Sequence, residues 1–364
     1  ATPTSTTTPP VVASSVPALT GWPAFDDRLQ TILDDGSSAV SATVLRDGEI
    51  VHEVALGTRT SAGDPVEIGD RYRIASISKV ITAITTLRLV DQGLLELDEP
   101  VGERLAARVG QGSPSSGVSE ITTRDLLTHR SGIGQYENLM FARQVESCPE
   151  AGAIALGQGL DRPPDTTFRY SNVNFCLLGQ LIEDVTGEEY ADVVAEQLLD
   201  PLDIDGMRLA GTFDVSDGDV AHASAEGRNY MEVLEGAGSW IASPTDVATI
   251  VDSLDPDTPG WKALSPATNA AMRTVTLDPP VEPDPTAPTT LVPEPPRTAG
   301  YGMGLMIFGP ESFGHTGTVE STHAMTLRQP DGLTWAITVS GDAPSSSRDL
   351  ATIINEALTA GGLV

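Results

Sequence analysis

The chain has 364 residues, 40% of them hydrophobic and 5% aromatic, so it is long enough to bury a large core in one domain or two closely packed ones. Its 51 Asp and Glu against 21 Lys and Arg leave a net charge of -30, which repels phosphate backbones and argues against nucleic acid as a partner. No apolar stretch approaches the length that a membrane-spanning helix needs.

The first 20 residues are rich in Thr, Ser, Pro, Ala and Val and show no periodicity, a composition typical of a flexible tether. Such a leader fits an exported protein that has lost its signal peptide, and an ordinary ragged terminus is the alternative. The only two cysteines, Cys148 and Cys176, would form one disulfide in an oxidising compartment or remain as two buried thiols. We expect a secreted or cell-envelope protein.

The elements predicted next are a hairpin and a long helix. Residues 24–33 have helical periodicity, and the alternating segments 39–45 and 50–56 are joined by Asp47-Gly48, a strong hairpin signal. Apolar residues then recur at helical spacing over 77–90. An antiparallel sheet therefore begins near the start of the chain, and a mostly buried helix follows it.

The middle of the chain, residues 94–254, is rich in helical patterns, with helices predicted at 173–185 and 190–199. A Pro-rich stretch follows at 277–297. Because proline cannot continue a helix or an interior strand, we interpret this stretch as an insertion loop without a catalytic role.

Strands return at 302–308, 324–328 and 334–340, and an amphipathic helix at 346–360 closes the chain. This order predicts an α/β fold of the α+β type: an antiparallel sheet built from both chain ends and flanked by helices, with an inserted all-helical domain. The predicted domains are a leader at 1–20, a sheet domain at 21–95 and 235–364, and a mostly helical domain at 96–234.

One of only two lysines, Lys79, follows Ser76 by three residues at the start of the 77–90 helix. A lysine one helical turn after a serine projects from the same face and can accept the hydroxyl proton. Unpaired N–H groups and the positive end of the helix dipole lie beside the serine and favour an anion there. Ser-x-x-Lys alone is weak evidence, because chance matches are common.

Two distant segments corroborate this motif. Tyr170-Ser171-Asn172 precedes the 173–185 helix, and Gly314-His315-Thr316-Gly317-Thr318 stands at the start of a C-terminal strand. Singly, a tyrosine before a helix is usually a packing residue, and a lone histidine on a strand is usually structural. The three segments in this order are far harder to obtain by chance, and the predicted fold lets them converge.

Together these motifs resemble the serine penicillin-recognising enzymes, which comprise the class C β-lactamases, the streptomycete-type D-alanyl-D-alanine carboxypeptidases and the family VIII esterases. The resemblance covers most of residues 25–360, and the His-Thr-Gly third motif looks most like the carboxypeptidase branch. It implies a large α/β domain joined to an all-helical domain, with the site in the cleft between them. Further segments that carry it are 126–133, 168–175 and 301–305.

The resemblance also implies a role for each motif residue. Ser76 would attack an acyl carbonyl, Lys79 would accept its proton, and Tyr170 would pass a proton to the leaving group. Asn172 would orient Lys79 and bind the amide side chain of the substrate. The other implied substrate-binding residues are His315 and Thr316 on the floor, Gly317, and Thr318, whose backbone N–H would complete an oxyanion hole with that of Ser76.

One departure bears on the substrate. The streptomycete-type carboxypeptidases carry an arginine near their equivalent of the 301–305 run, where it pairs with the peptide carboxylate, whereas here Met306 follows. Losing such a pair, worth about 1.5 to 3 kcal/mol, shifts preference towards neutral esters or amides unless another arginine reaches in. The chain also lacks the deacylating glutamate pattern of class A β-lactamases, so we expect β-lactams to act as covalent inhibitors.

The resulting hypothesis is a serine acyl hydrolase of the D-alanyl-D-alanine carboxypeptidase or penicillin-binding-protein type, acting on a small-molecule or peptide acyl substrate such as a cell-wall peptide. A carboxylesterase or amidase of the same fold is one alternative, and a catalytically silent binding protein is another. The five histidines lack metal-ligand spacing, so no metal or other cofactor is expected. We expect the protein to be a monomer.

Overall fold

The computed structural model describes residues 21–276, 300–309 and 311–364, so the predicted leader and the Pro-rich insertion lie outside the described residues. The strands of the described residues are β1 (Ala39–Arg46), β2 (Glu49–Gly57), β3 (Tyr72–Arg73), β4 (Arg208–Leu209), β5 (Trp240–Ala242), β6 (Gly300–Tyr301), β7 (Met306–Gly309), β8 (Ser312–Val319), β9 (Thr322–Arg328) and β10 (Leu333–Ser340). The helices are α1 (Trp22–Asp34), α2 (Ser78–Asp91), α3 (Gly102–Arg108), α4 (Thr123–Leu127), α5 (Glu137–Phe141), α6 (Cys148–Gln158), α7 (Asn172–Thr186), α8 (Tyr190–Val194), α9 (Tyr230–Leu234), α10 (Pro244–Asp252), α11 (Pro266–Met272) and α12 (Asp349–Gly361).

The main sheet has the strand order β2-β1-β10-β9-β8-β7-β6, and every neighbouring pair is antiparallel. In its centre the N-terminal strand β1 pairs with the C-terminal strand β10, with Ala39 opposite Ser340. The predicted sheet built from both chain ends, flanked by helices, is therefore confirmed. A small second sheet, in the order β3-β5-β4, leads into the segment that carries Ser76.

Helices cover both faces of this sheet, which explains why β9 and β10 are buried along their whole length. On one face, α1 and α12 pack against each other and against the sheet through a core that includes Phe25, Trp335 and Ile354. On the other face, α10 lies against β1 and β10. A larger core continues from there into α2 and α7, the two helices that hold the site.

Local turn chemistry fixes several boundaries. Asp47 and Gly48 have φ angles of 52° and 85°, the positive pair that a tight two-residue hairpin requires, so the predicted hairpin is confirmed. Gly187 ends α7 at φ 76°, as the sequence indicated. Along the parts of the chain that the structure describes, none of the helices has the length and apolar character needed to cross a membrane.

Three predicted elements differ from the structure. The strand expected at 302–308 is split into β6 and β7, because Gly304 turns the chain at φ 75° and the Gly302 N–H donates to the Leu305 carbonyl at 2.8 Å. The helix expected at 190–199 stops being α-helical after Val194 and continues as a π-helical turn, shortly before Pro201 removes a backbone donor. The closing helix begins at Asp349 and not at residue 346.

Cys148, at the start of α6, is bridged to Cys176 in α7 with a Cα–Cα distance of 5.7 Å. Of the two possibilities left open by the sequence, the structure therefore has the disulfide. Both half-cystines are buried, at 1% and 0% exposure. The bridge fastens α6 to the helix whose first residue is Asn172.

Candidate active site

Ser76 sits in a 3-10 turn, Ala75–Ile77, immediately before α2. The turn is sharp because Ala75 has φ 46°, a left-handed conformation that is uncommon for a residue with a side chain and costs about 1 to 3 kcal/mol. Such strain persists only where the surroundings enforce it. Here the turn presents the Ser76 side chain to a cavity of about 550 Å³.

Gly317 of β8 packs directly against this turn. A Cβ atom at Gly317 would overlap the Ile74 carbonyl oxygen and lie 3.2 Å from the Ala75 Cβ, so only glycine allows this approach. Strand β7 pairs with β8 only as far as Gly314. The edge of β8 beyond that point is therefore free to lie beside the Ser76 turn.

Lys79, one helical turn after the serine, is completely buried and has three hydrogen-bond partners. Its Nζ lies 3.0 Å from Ser76 Oγ, 2.8 Å from Asn172 Oδ1 and 2.7 Å from the carbonyl oxygen of Ala237. Burial lowers the pKa of Lys79 to about 7, and the negative charge of Glu137 acts in the opposite direction. The amine is therefore readily neutralised near neutral pH.

The ring of Tyr170 packs against the Lys79 amine. The Lys79 nitrogen lies 4.9 Å from the centre of the Tyr170 ring, and the phenol is hydrogen-bonded to the Ser76 side chain. Burial raises the pKa of Tyr170 well above its usual value, which the bond to Ser76 only partly offsets. At neutral pH the phenol therefore keeps its proton, and Lys79 is the group that can accept one.

The segment 170–172 is held in place by His129. The Ser171 N–H donates to His129 Nδ1 at 3.2 Å, and the Ser171 hydroxyl donates to the Gly134 carbonyl at 2.7 Å. Because Nδ1 accepts a backbone N–H, the imidazole is neutral and carries its proton on Nε2. Burial lowers the pKa of His129 well below its usual value, which agrees with this state. The contacts are those of a structural residue beneath the site.

His315 of β8 is buried at 0% exposure, and its two nitrogens have different partners. Nδ1 donates to the Thr316 carbonyl at 2.6 Å, since a carbonyl can only accept, and Nε2 therefore accepts from the Tyr301 hydroxyl at 3.1 Å. Burial lowers the pKa of His315 to about 3, and the charge of Lys79 acts in the same direction. The third motif consequently brings no positive charge to the site.

The neighbouring threonines face the cavity, and His315 lies beneath it. Thr316 and Thr318 both line the cavity with Ser76, as the two-residue period of a strand requires. The Thr316 hydroxyl contacts Met306 Sδ at 3.7 Å, and Thr318 Oγ1 lies 3.3 Å from His323 Nδ1. The structure thus brings together all eight residues that the sequence singled out.

The cavity has an apolar and a polar side. Its apolar lining is Phe168, Tyr170, Val275, Tyr301 and Met306, and its polar lining besides Ser76 is Thr276, Thr316, Thr318, Ser347 and Arg348. Arg348, which the sequence did not single out, is exposed just before α12, and no carboxylate among the described residues pairs with it. It lies in the segment between β10 and α12, and β10 is two strands away from β8 in the sheet, so its approach to the cavity follows only from the three-dimensional order of the strands.

Two curated proteins are similar to about half of this chain. Penicillin-binding protein 4 of Amycolatopsis lactamdurans is 30% identical over 191 residues, which are 50% of this chain and 46% of that protein. Esterase EstB of Burkholderia gladioli is 32% identical over 204 residues, covering 51% of this chain and 49% of the esterase. The chain thus spans about half the length of the curated relatives it matches.

Among solved structures, D-amino acid amidase from Ochrobactrum anthropi SV3, complexed with L-phenylalanine amide, shares the fold with a TM-score of 0.72 over 93% of this chain and 98% of that one. The two are 20% identical, so this likeness shows the fold alone. The family model described as Beta-lactamase matches residues 25–359. This chain therefore belongs to the beta-lactamase family of serine hydrolases.

Proposed function

We propose that this protein is a serine acyl hydrolase that acts through an acyl-enzyme at Ser76. The observation that carries the proposal is the buried Lys79 amine, 3.0 Å from Ser76 Oγ, with a pKa lowered by burial to about 7. A base is most useful when its pKa lies near the working pH, and an ordinary lysine would be protonated there. Burial in the folded protein thus gives Lys79 a neutral, proton-accepting form at a pH where an exposed lysine would be protonated.

The partners of Lys79 also set the direction of proton transfer. A neutral amine has two N–H bonds, and Asn172 Oδ1 and the Ala237 carbonyl are both acceptors that take them. The lone pair is then left for the hydroxyl hydrogen of Ser76. As this proton moves to Lys79, Ser76 Oγ bonds to the carbonyl carbon of the substrate and the carbonyl π electrons move onto its oxygen.

The resulting oxyanion would be bound by the backbone N–H groups of Ser76 and Thr318. The approach of β8 to the Ser76 turn at Gly317 supports this assignment. Removing one such donor typically costs about 2.7 to 4 kcal/mol of transition-state stabilisation.

Tyr170 would return the proton to the leaving group. Its phenol contacts Ser76 and stays protonated at neutral pH, so it can donate to the departing oxygen or nitrogen while it receives a proton from the Lys79 ammonium. The bond between the acyl carbon and the leaving group breaks in this step. In deacylation a water molecule takes the place of the leaving group, and its proton follows the reverse path.

For the substrate, the first candidate is a peptide or amide that ends in a carboxylate, as for a D-alanyl-D-alanine carboxypeptidase. Arg348 supports this candidate because it lines the same cavity as Ser76, and none of the described carboxylates pairs with its guanidinium. The second candidate is a neutral ester or amide, which Met306 and the neutral His315 favour, since neither attracts a carboxylate.

Acylation is tested first with a fluorescent penicillin. The proposal expects a covalent label on the natural protein and none on Ser76→Ala. Equal labelling of both proteins would remove Ser76 as the nucleophile. Absence of label from both, combined with no hydrolysis of esters or peptides, would favour a silent binding protein.

Substrate preference is tested with a D-Ala-D-Ala peptide and a p-nitrophenyl ester on three proteins: the natural one, Arg348→Gln and the control Arg46→Gln, an exposed arginine in β1. Loss of a charged pair of about 1.5 to 3 kcal/mol lowers kcat/KM for the peptide at least about tenfold in Arg348→Gln and leaves the ester unchanged. A preference for the ester that is indifferent to Arg348 would instead assign the protein to the esterases or amidases.

We propose that the protein acts outside the cytoplasm. The Cys148–Cys176 disulfide supports this location, because such bridges persist in oxidising compartments. In that location a cell-wall peptide is an accessible acyl donor and β-lactams are accessible covalent inhibitors. We propose a monomeric enzyme that needs no cofactor.

A further inference from the structure

A short turn fastens α2 at two points. In the 3-10 turn Glu235–Ala237, the Gly236 carbonyl accepts a hydrogen bond from the Thr82 hydroxyl at 2.6 Å, and the Ala237 carbonyl accepts one from Lys79 Nζ at 2.7 Å. Glu235 begins this turn with φ 43°, a left-handed conformation that a side chain disfavours. The position of the Ala237 oxygen therefore depends on what holds Glu235.

Glu235 is held by α7 through its carboxylate. Gln180 Nε2 donates to Glu235 Oε2 at 3.3 Å and to Glu183 Oε2 at 3.1 Å, so one amide bridges two acidic side chains. Glu183 is in turn fixed by Arg108 at 2.7 Å and by the N–H of Tyr190 at 3.1 Å. The turn and α7 are thereby joined into one unit.

This unit carries both acceptors that orient Lys79. Asn172 is the first residue of α7, and Gln180 lies two turns further along the same helix. Ala237 lies two residues after Glu235. The Glu235–Gln180 contact thus links the helix that supplies the Asn172 oxygen to the turn that supplies the Ala237 oxygen.

The titratable groups around Glu235 come from four places in the chain. Glu183 comes from α7, Glu189 from the residue before α8, Arg108 from α3, and the phenol of Tyr190 from α8. Burial raises the pKa of Glu235 to about 7, Glu183 and Glu189 act in the same direction, and Gln180 and Arg108 oppose them. A carboxyl withdrawn from water is costly unless hydrogen bonds hold it, as the Gln180 amide does here, and the acyl-transfer steps make no use of this carboxyl.

We propose that Glu235 is a positioning residue for Lys79: its contact with Gln180 keeps the Glu235–Ala237 turn in the place where the Ala237 carbonyl can hold the lysine amine against Ser76. This inference rests on the proposed function, since it assigns Glu235 a part in setting up the same base. Glu235 does not line the cavity, so it acts on the proton acceptor and not on substrate binding.

The test is the rate of Ser76 acylation per active site, from the burst with a p-nitrophenyl ester, as a function of pH. Glu235→Ala lowers the acylation rate constant about tenfold to a hundredfold and leaves the ester concentration that gives half the maximal burst rate unchanged, because small displacements of a catalytic group have effects of this size. The acidic limb of its pH–rate profile moves to lower pH, because the Lys79 ammonium loses the fixed Ala237 acceptor and the pKa of Lys79 falls. Glu235→Gln keeps an oxygen that can accept from Gln180 and retains most of the rate.

Glu188→Ala serves as the control, because Glu188 is exposed near the same helices and its side chain has no hydrogen bond or ion pair among the described residues. If Glu235→Ala does not fold, Glu235→Asp replaces it, since the shorter side chain withdraws the carboxylate from Gln180 and keeps its charge. A natural acylation rate and acidic limb in the folded Glu235 variant, with Ser76→Ala inactive, would overturn this inference alone. Acylation that persists in Ser76→Ala would overturn the proposed function instead.

Discussion

Lys79 Nζ lies 2.8 Å from Asn172 Oδ1, and this hydrogen bond joins the first turn of α2 to the first residue of α7. The amide oxygen is neutral, so it orients the amine without the strong stabilisation of the ammonium that a carboxylate would give. Asn172 thus fixes the orientation of the Lys79 amine without raising its pKa as a carboxylate would.

The first prediction concerns Asn172→Asp. A carboxylate at this distance stabilises the ammonium form, so the pKa of Lys79 rises by about one to three units, and the amine is neutral only at higher pH. We expect the acidic limb of the acylation rate to move up by the same amount and the rate at pH 7 to fall about fivefold or more. The pH–rate profile of kcat/KM with an ester measures this. An acidic limb that stays at its natural position would show that Lys79 is not the base.

Glu137→Gln should move the acidic limb in the opposite direction, to lower pH. The negative charge of Glu137 opposes the lowering of the Lys79 pKa, so its removal lowers that pKa further. The acidic limb then moves below its natural position, and acylation under mildly acidic conditions becomes faster. The same pH–rate profile, with the exposed Glu188→Gln as control, measures the shift. A move to higher pH would mean that Glu137 acts by something other than its charge.

Gly317→Ala tests the oxyanion hole. A methyl group there overlaps the Ile74 carbonyl, so β8 must move away from the Ser76 turn and carry the Thr318 N–H with it. We expect the acylation rate to fall about a hundredfold or more while circular dichroism shows an intact fold.

Gly309→Ala is a matched control for this change, because a Cβ at Gly309 in the neighbouring β7 meets nothing within 4 Å. It should acylate at the natural rate. If Gly317→Ala acylates as fast as Gly309→Ala, the oxyanion is not bound by the edge of β8.

Much of this arrangement is predictable from local sequence signals. The Asp47-Gly48 hairpin and the helices that became α2 and α7 follow from turn chemistry and periodicity, which depend on neighbours in the chain. The single strand predicted at 302–308 was wrong, because the turn at Gly304 leaves the apolar pattern of the segment nearly unchanged. Only the packing of Gly304 against α2 reveals that turn.

The sequence predicted the site residues that act through their side chains and missed the residue that acts through its backbone. Ser76, Lys79 and Tyr170 stand in motifs, whereas Ala237 contributes a carbonyl oxygen that any residue would supply. Arg348 was hidden for a different reason. Its approach to the cavity depends on strand order and on the exact start of α12, neither of which a linear pattern specifies.

The last prediction concerns the disulfide, which encloses Tyr170 and Asn172 in the loop between Cys148 and Cys176. Opening a loop with a sequence separation of 28 gives the unfolded chain more freedom, which lowers the free energy of unfolding by about 3 to 4 kcal/mol. Both half-cystines are buried, so we expect reduction to require unfolding, and denaturant curves with and without reductant measure the loss. Cys148→Ser with Cys176→Ser should reproduce the reduced curve. Intact mass should show no alkylation of the unreduced chain even under denaturing conditions, and two alkylatable thiols there would contradict the bridge and weaken the extracytoplasmic location that depends on it.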